Sequence, residues 1–387
     1  MQINVRRIGL IDTEQFADEL HNIDVNSADL NIAFGDVNAI TALSDAVSDK
    51  TNWIASSSCL GAMSHLGTDL GDSFVHVMSL QNTQGAIGVA SCDISNGNAT
   101  ELAGATIVTA MQRANRLGEM PSLVWIIQAP GQEEAVLDGV QTVLGNSVPI
   151  FGGSSADNAI EGKWVQFDGE HLYSNGLVIA AMYTEEPISC YFSSGYTSTQ
   201  TQAEVTAAEG RVIYTLDNKP AGEVYNHWLQ EYGHPPLKPG SILSDSTYFP
   251  LGRHKGCKSD PIPLLSHPSK LNDDNSLELF ATVKQGDILT LMQGEQHNLI
   301  SRAAEVTEVV LRTHELNYET RPKGLLLVFC GGCMLAVKDQ LETIHASILK
   351  KAQGLPFLVA FTFGEQGCFP DGKSRHGNLM ISATVFG

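Results

Sequence analysis

The sequence is poor in basic residues. Lysine and arginine together number 23 against 43 aspartates and glutamates, leaving a formal charge of −20 over 387 residues. A surface this acidic would bring many carboxylates towards phosphates before any local contact formed, which argues against nucleic acid and anionic membranes as partners. Charged residues of either sign make up only 17%, while 43% are hydrophobic, a share that excludes a disordered chain. No unbroken apolar run reaches the ~18 residues of a membrane helix. The start sets Arg6 and Arg7 ahead of a mixed polar stretch and lacks the apolar centre of a secretory signal. A cytoplasmic protein without membrane insertion is expected. Proline is sparse too, 15 residues beside 36 glycines, which points to tight backbone turns rather than a low-complexity tail.

Enzyme signatures are also missing. There is no Gly-X-Ser-X-Gly elbow, no Walker lysine loop, no Gly-X-Gly-X-X-Gly after a strand and no His-Glu-X-X-His. The expectation is a protein that does not catalyse. Seven cysteines, an odd count without a secretory signal, read as free thiols or metal ligands rather than as a disulfide framework.

What is present is a recurring unit of strand, helix and second strand ending in small residues. The first copy runs from Leu30-Asn-Ile-Ala-Phe34 through a helix near Ala39 to Val47, then Trp53-Ile-Ala55 into Ser56-Ser-Ser58. The second runs from Leu123-Val-Trp-Ile-Ile127 through a helix with Val136, Leu137, Val140, Val143 and Leu144 on one face, then Val148 to Phe151 into Gly152-Gly-Ser-Ser155. Gly145 stands where that helix would take its C-terminal cap. The third runs from Leu325 to Phe329, through Cys330-Gly-Gly-Cys333 and a helix with Leu341, Ile344, Ile348 and Leu349, then Phe357 to Phe363 into Gly364-Glu-Gln-Gly-Cys368.

Continuous apolar strands joined by amphipathic helices predict an α/β fold of repeated βαβ units with largely parallel sheets. The alternating segments between the second and third copies predict antiparallel hairpins. A boundary near residue 215 divides the chain into regions 1–215 and 216–387. In parallel sheets ligands gather beyond the carboxyl ends of the strands, so the small-residue stretches are candidate ligand loops. Ser57, Gly152, Gly153 and Ser154 are expected to hydrogen-bond a ligand there, or to serve only as turn residues.

Phe151-Gly-Gly-Ser-Ser-Ala-Asp157, the run from Gly210 to Asp217 with Pro220-Ala221 and Val224-Tyr225, and Gly364-Glu365 before Asn378 resemble the FIST family of bacterial sensory proteins. The similarity runs from about Leu30 to the end. It implies paired N- and C-terminal FIST regions forming an intracellular ligand-binding input module. It also implies a histidine kinase or a cyclic-dinucleotide enzyme as partner, and Gly364, Glu365 and Asn378 as ligand-site residues. Cys330-Gly-Gly-Cys-Met334 and Arg375-His-Gly-Asn-Leu-Met380 further resemble the nitric-oxide-sensing branch, whose members bind haem. No axial histidine carries over from that branch, and His376, in the loop after Cys368, is the best placed of the twelve histidines for a ligand role.

Cys330 and Cys333, two thiols at the end of a strand, have the spacing to face one metal. Cys368 is expected to join them from the end of the neighbouring strand. Cys257 or His376 would complete a zinc site or hold an iron–sulfur centre, and buried free thiols are the alternative. Met334 follows Cys333 where covalent c-type haem attachment needs histidine, so any haem would be held non-covalently. A thiol- or metal-dependent oxidoreductase centred on Cys330 and Cys333 is the competing reading. Arg253, beside His254, Lys255 and Lys258, gathers positive charge suited to a ligand carboxylate, or else balances neighbouring acids on a solvated loop. The ligand itself is expected to be a small molecule or a gas.

Overall fold

The computed structural model describes residues 1–10, 16, 19–20, 27–47, 52–71, 73–81, 84–254, 263–369 and 371–387. All three recurring units form. Each contributes one parallel strand pair: Leu30–Gly35 with Trp53–Ser57, Leu123–Gln128 with Ile150–Ser154, and Gly324–Cys330 with Phe357–Thr362. The strands are apolar on both faces and wholly buried, as a sheet covered on two sides requires.

The connecting helices start and stop where local chemistry dictates. Asp36 accepts from the Ala39 N–H and caps the Val37–Ala46 helix. Gly145, at φ 70°, ends the Glu133–Leu144 helix as expected. That helix buries Val136, Leu137, Val140 and Leu144, whereas Val143 is 37% exposed.

The expectation of largely parallel sheets is corrected. Among the described residues those three pairs are the parallel ones, and every other recorded strand pairing is antiparallel. The reason is a cyclic exchange of hairpins. After its parallel pair, each unit sends a hairpin to the edge of another unit's sheet. Gly61–Ser64 pairs with Phe357–Thr362, Gln166–Phe167 with Trp53–Ser57, and Gly364–Cys368 with Ile150–Ser154. The chain then returns to its own sheet: Phe74–Gln81, Gly176–Tyr183 and Met380–Phe386 each lie antiparallel against the first strand of their unit. Gln2–Gly9, Ala86–Asp93 and Ile188–Ser194 add the outer strands. Three like-built six-stranded sheets result. Strands from both sides of residue 215 share the second and third of them.

One face of each sheet contributes to a common core, where Ile32, Phe34, Trp125, Phe151, Phe329 and Phe361 belong to one continuous cluster. Helices cover the outer faces. Ala99–Arg113 and Glu133–Leu144 close a second core over one sheet, and Val37–Ala46 closes another. Between Ile188–Ser194 and the Gln296–Asn317 helix the third unit carries an insert, a nine-stranded antiparallel sheet with its own core around Tyr225, Trp228 and Leu291.

The small-residue stretches expected as loops are mostly strand. Ser56 and Ser57 end one strand, Gly152 to Ser154 lie within another, and Gly364 to Cys368 form a third. Their smallness serves the hairpin exchange. A Cβ on Gly152, at φ 152°, would stand 1.8 Å from the Ile126 carbonyl oxygen, and one on Gly153 would meet the Thr362 side chain at 2.4 Å. Gly152→Ala combines backbone strain with overpacking and is expected to reduce the unfolding free energy by roughly 2–5 kcal/mol in urea titration. Gly67→Ala, at φ 147° but with nothing within 4 Å, carries the conformational part alone, about 1 kcal/mol.

Candidate functional site

A partly open cavity of about 300 Å³ lies beyond the carboxyl end of Gly324–Cys330. This is the strand end at which an α/β sheet leaves room for ligands. The floor belongs to the third unit: Cys330, Gly332 and Leu335 at the turn into the short Gly331–Ala336 helix, then Phe363 and Asn378. The insert provides the opposite wall through Leu243, Tyr248, His267 and Phe280, and Ile160 reaches in from the second unit. The cavity therefore lies where the three-unit body and the insert meet.

Asn378 is 2% exposed, and its Oδ1 accepts the backbone N–H of His267 at 3.2 Å. That contact fixes which end of the amide is oxygen. Its Nδ2, also buried, has no partner among the described residues. His267 is buried, with Nε2 3.1 Å from the Leu243 carbonyl oxygen and 3.3 Å from Thr247 Oγ1. A carbonyl only accepts, so Nε2 carries the proton. Burial lowers the His267 pKa to about 4 against the opposing carbonyl contact, and the ring is neutral at pH 7.

Behind the floor lies Glu365, fully buried. Its oxygens accept from Thr362 Oγ1 at 2.8 Å and from the Met380 N–H at 3.1 Å. Burial, and then the adjacent Cys330, pushes its carboxyl well above the usual range. Burial and the neighbouring Cys333 likewise push the Cys330 thiol up. Cys333 is held 3.5 Å from the hydroxyl of Tyr196, which donates to the Thr247 carbonyl at 2.8 Å.

The structure separates the expected metal ligands. Cys330, Cys333 and Cys368 are free thiols. Cys368 does not join the other two, because Gly364–Cys368 crosses into the second sheet and carries its thiol next to Cys190. Among the described residues no group of three or more His, Cys, Asp or Glu is gathered as a metal ion would need. Cys257, Lys255 and Lys258 lie outside the described residues.

Other expected ligand residues have structural duties. Ser57 Oγ accepts the Val165 N–H at 2.9 Å and fastens the strand end to the following segment. Arg253 is not on a solvated loop but 3% exposed, and its guanidinium donates to the Thr282 carbonyl. Ser154, Gly364 and His376 lie on the far side of the second sheet. There Ser154 donates to Glu133 at 2.9 Å, and a Cβ on Gly364 would come 2.4 Å from the His376 ring.

Sequence reasoning missed this second cluster. Arg211 of the insert donates to both Glu133 and Glu134, and the Thr282 N–H donates to Glu134 at 2.7 Å. Burial pushes Glu134 up, yet His376, Arg211 and the Thr282 N–H outweigh it and bring it down to about 2. Glu133 is lowered in the same way. Two acids opening a helix are favourable at its positive end in any protein, so the pair carries no signal of a cluster. His267, Thr247 and Tyr248 were also missed, since nothing in their spacing forms a motif.

The geometry defines a class of protein: a strand-exchanged α/β body with an insert, and a cavity between them. Residues 29–219 match the FIST N domain and 221–368 the FIST C domain, so the chain belongs to the FIST family. FIST domains are associated with sensing in signal transduction. An uncharacterized protein of Methanocaldococcus jannaschii is 34% identical over 107 residues, which are 27% of this chain and 20% of that relative's length. The chain also overlays two solved cyanuric acid hydrolases at 10% identity. One, from A. caulinodans, has a TM-score of 0.30 over 50% of this chain and 72% of its own, and the other 0.37 over 100% and 99%. A chorismatase gives 0.36 over 99% and 98%, again at 10% identity. Likeness at that level carries no inference about activity. No helix among the described residues is long and apolar enough to cross a membrane.

Arg211→Met would leave the buried Glu133 without its cation and is expected to lower stability by about 3–5 kcal/mol at pH 7, read by chemical unfolding. Glu365 shows the opposite linkage. Because its folded pKa lies above the ordinary 4.5, its contribution to stability is complete below that value and declines as pH rises from there towards the folded pKa. Glu365→Gln is expected to be less sensitive to pH between 5 and 8 than the parent protein, with unfolding free energies measured across that window.

Proposed function

We propose that the protein is a non-catalytic sensor whose small ligand binds in the cavity between the insert and the three-unit body. The carrying observation is the unpartnered, buried Nδ2 of Asn378 on the wall of that cavity. A buried donor without a partner costs roughly 1–3 kcal/mol, and a ligand acceptor removes that cost. Because the ligand touches both parts, it binds best when insert and body hold one relative position. That difference in affinity is what a sensor needs to shift its own conformational balance. The proposed recipient is a histidine kinase or a cyclic-dinucleotide enzyme that presents a basic patch to this acidic protein, within a cytoplasmic pathway.

Haem-based nitric oxide sensing is the finer reading, and among the described residues His267 is the histidine on the cavity wall. Its Nε2 is engaged with Leu243 and Thr247, which leaves Nδ1 as the ring nitrogen that would meet iron. His376 is buried behind the second sheet, with Nε2 3.4 Å from the Phe280 carbonyl. An absorption spectrum after haem addition decides this directly: a Soret band that shifts with nitric oxide would support the haem reading, and no Soret band would end it. Zinc or an iron–sulfur centre finds no third ligand near Cys330 and Cys333 among the described residues. The oxidoreductase reading has the Cys-X-X-Cys turn in its favour, but the Cys330 thiol is buried and pushed up rather than activated.

Leu335, 38% exposed at the cavity, accepts a larger side chain without disturbing the core. Native mass spectrometry of the purified protein is expected to show a bound small molecule that Leu335→Trp loses, with unfolding stability changed by less than about 1 kcal/mol. The same adduct on both proteins would place the ligand elsewhere.

A further inference from the structure

The chemistry of the occupant can be read from the same walls, and this step rests on the cavity being the ligand site. Among the described residues none that lines it is Asp, Glu, Lys or Arg. Leu243, Tyr248, Phe280, Leu335 and Phe363 make most of the surface apolar. An ionised ligand would leave water with no counter-charge to meet it, and burying an unpaired charge is strongly unfavourable. A zwitterion would lack both partners.

The polar groups narrow the choice further. Asn378 is fixed by the His267 N–H with its oxygen occupied and its buried Nδ2 without a partner among the described residues. A buried, oriented N–H donor selects an oxygen acceptor. It does not need a charged one, because among the described lining residues no second buried donor lacks a partner. The neutral His267 ring adds no charge of its own. Size sets the remaining limit: an apolar cavity of ~150 Å³ suffices for benzene, and this one holds about 300 Å³.

We infer that the cavity takes an uncharged, largely apolar molecule of roughly one to two rings that presents a carbonyl-type oxygen to Asn378 Nδ2. Free amino acids, carboxylates and other charged metabolites are excluded by the same walls. The insert supplies the apolar wall and the third unit supplies the donor, so such a molecule touches both parts at once.

Acetophenone, ethylbenzene and benzoate test this on the intact chain by calorimetry. They share a benzene ring and differ in a neutral carbonyl, no acceptor and a negative charge. Acetophenone is expected to bind tightest and ethylbenzene about tenfold more weakly, the ratio a single neutral hydrogen bond gives. Benzoate is expected to give no heat at the same concentrations. Asn378→Asp keeps the acceptor for the His267 N–H while removing the donor, and is expected to erase the preference for acetophenone over ethylbenzene. If that variant does not fold, the side-chain amide resonance of Asn378 in the parent protein answers instead, moving with acetophenone and staying still with ethylbenzene.

Equal or tighter binding of benzoate overturns the uncharged class. Equal binding of acetophenone and ethylbenzene, or an unmoved Asn378 amide, overturns the donor's role. If none of the three binds but Leu335→Trp still loses a bound mass, the cavity reading stands and the ligand class falls. If neither is seen, the cavity reading itself falls.

Discussion

The rest of the structure depends on the pairing of Gly364–Gln366 with Gly152–Ser154. It joins segments more than two hundred residues apart and completes a cycle in which each unit's hairpin finishes another unit's sheet. No unit is closed without the next. The approach is allowed because positions 152 and 153 are glycine, and a Cβ at either would collide with Ile126 or Thr362. The same crossing sets Glu365 beside Cys330 and carries the chain on to Asn378. One backbone contact thus builds both the closure of the fold and the floor of the cavity.

A second constraint orients the insert. Arg211 and Thr282 hold it against Glu133 and Glu134 at the start of the second unit's helix, and the buried Arg253 braces Thr282 from within the insert. Phe280, two residues before Thr282, lines the cavity. Ligand wall and buried ion cluster therefore share one short segment. A buried ion pair adds little net stability over a well-packed apolar contact but strongly disfavours arrangements that separate its charges. This cluster accordingly defines the position of the insert that the cavity requires.

Much of the body was legible in the sequence. Three apolar strand pairs, their helices and the Gly145 cap all appear where periodicity and capping chemistry put them. The direction of the remaining strands was not legible. A buried strand such as Gly176–Tyr183 is apolar on both faces whether its neighbour runs parallel or antiparallel, and the neighbour is chosen by distant chain. The runs Ser56-Ser57 and Gly152-Gly153 were read as loops because small residues usually mark turns; here they mark close approach between strands. Cys368 looked like a partner of Cys330 only on the assumption that the strand after Phe357–Thr362 stays in its own sheet. Asn378 and Glu365 came from family resemblance, and the first lines the cavity while the second lies buried behind its floor, whereas His267 and Arg211 are brought in by the insert's fold and leave no local signature.

The central claim is that the ligand lies between insert and body with its acceptor on Asn378. A crystal structure of the protein saturated with acetophenone tests it most directly. The account predicts the ligand within the space between Phe280 and Phe363, its oxygen at hydrogen-bond distance from Asn378 Nδ2. An empty cavity, with the ligand bound elsewhere on the chain, would contradict it.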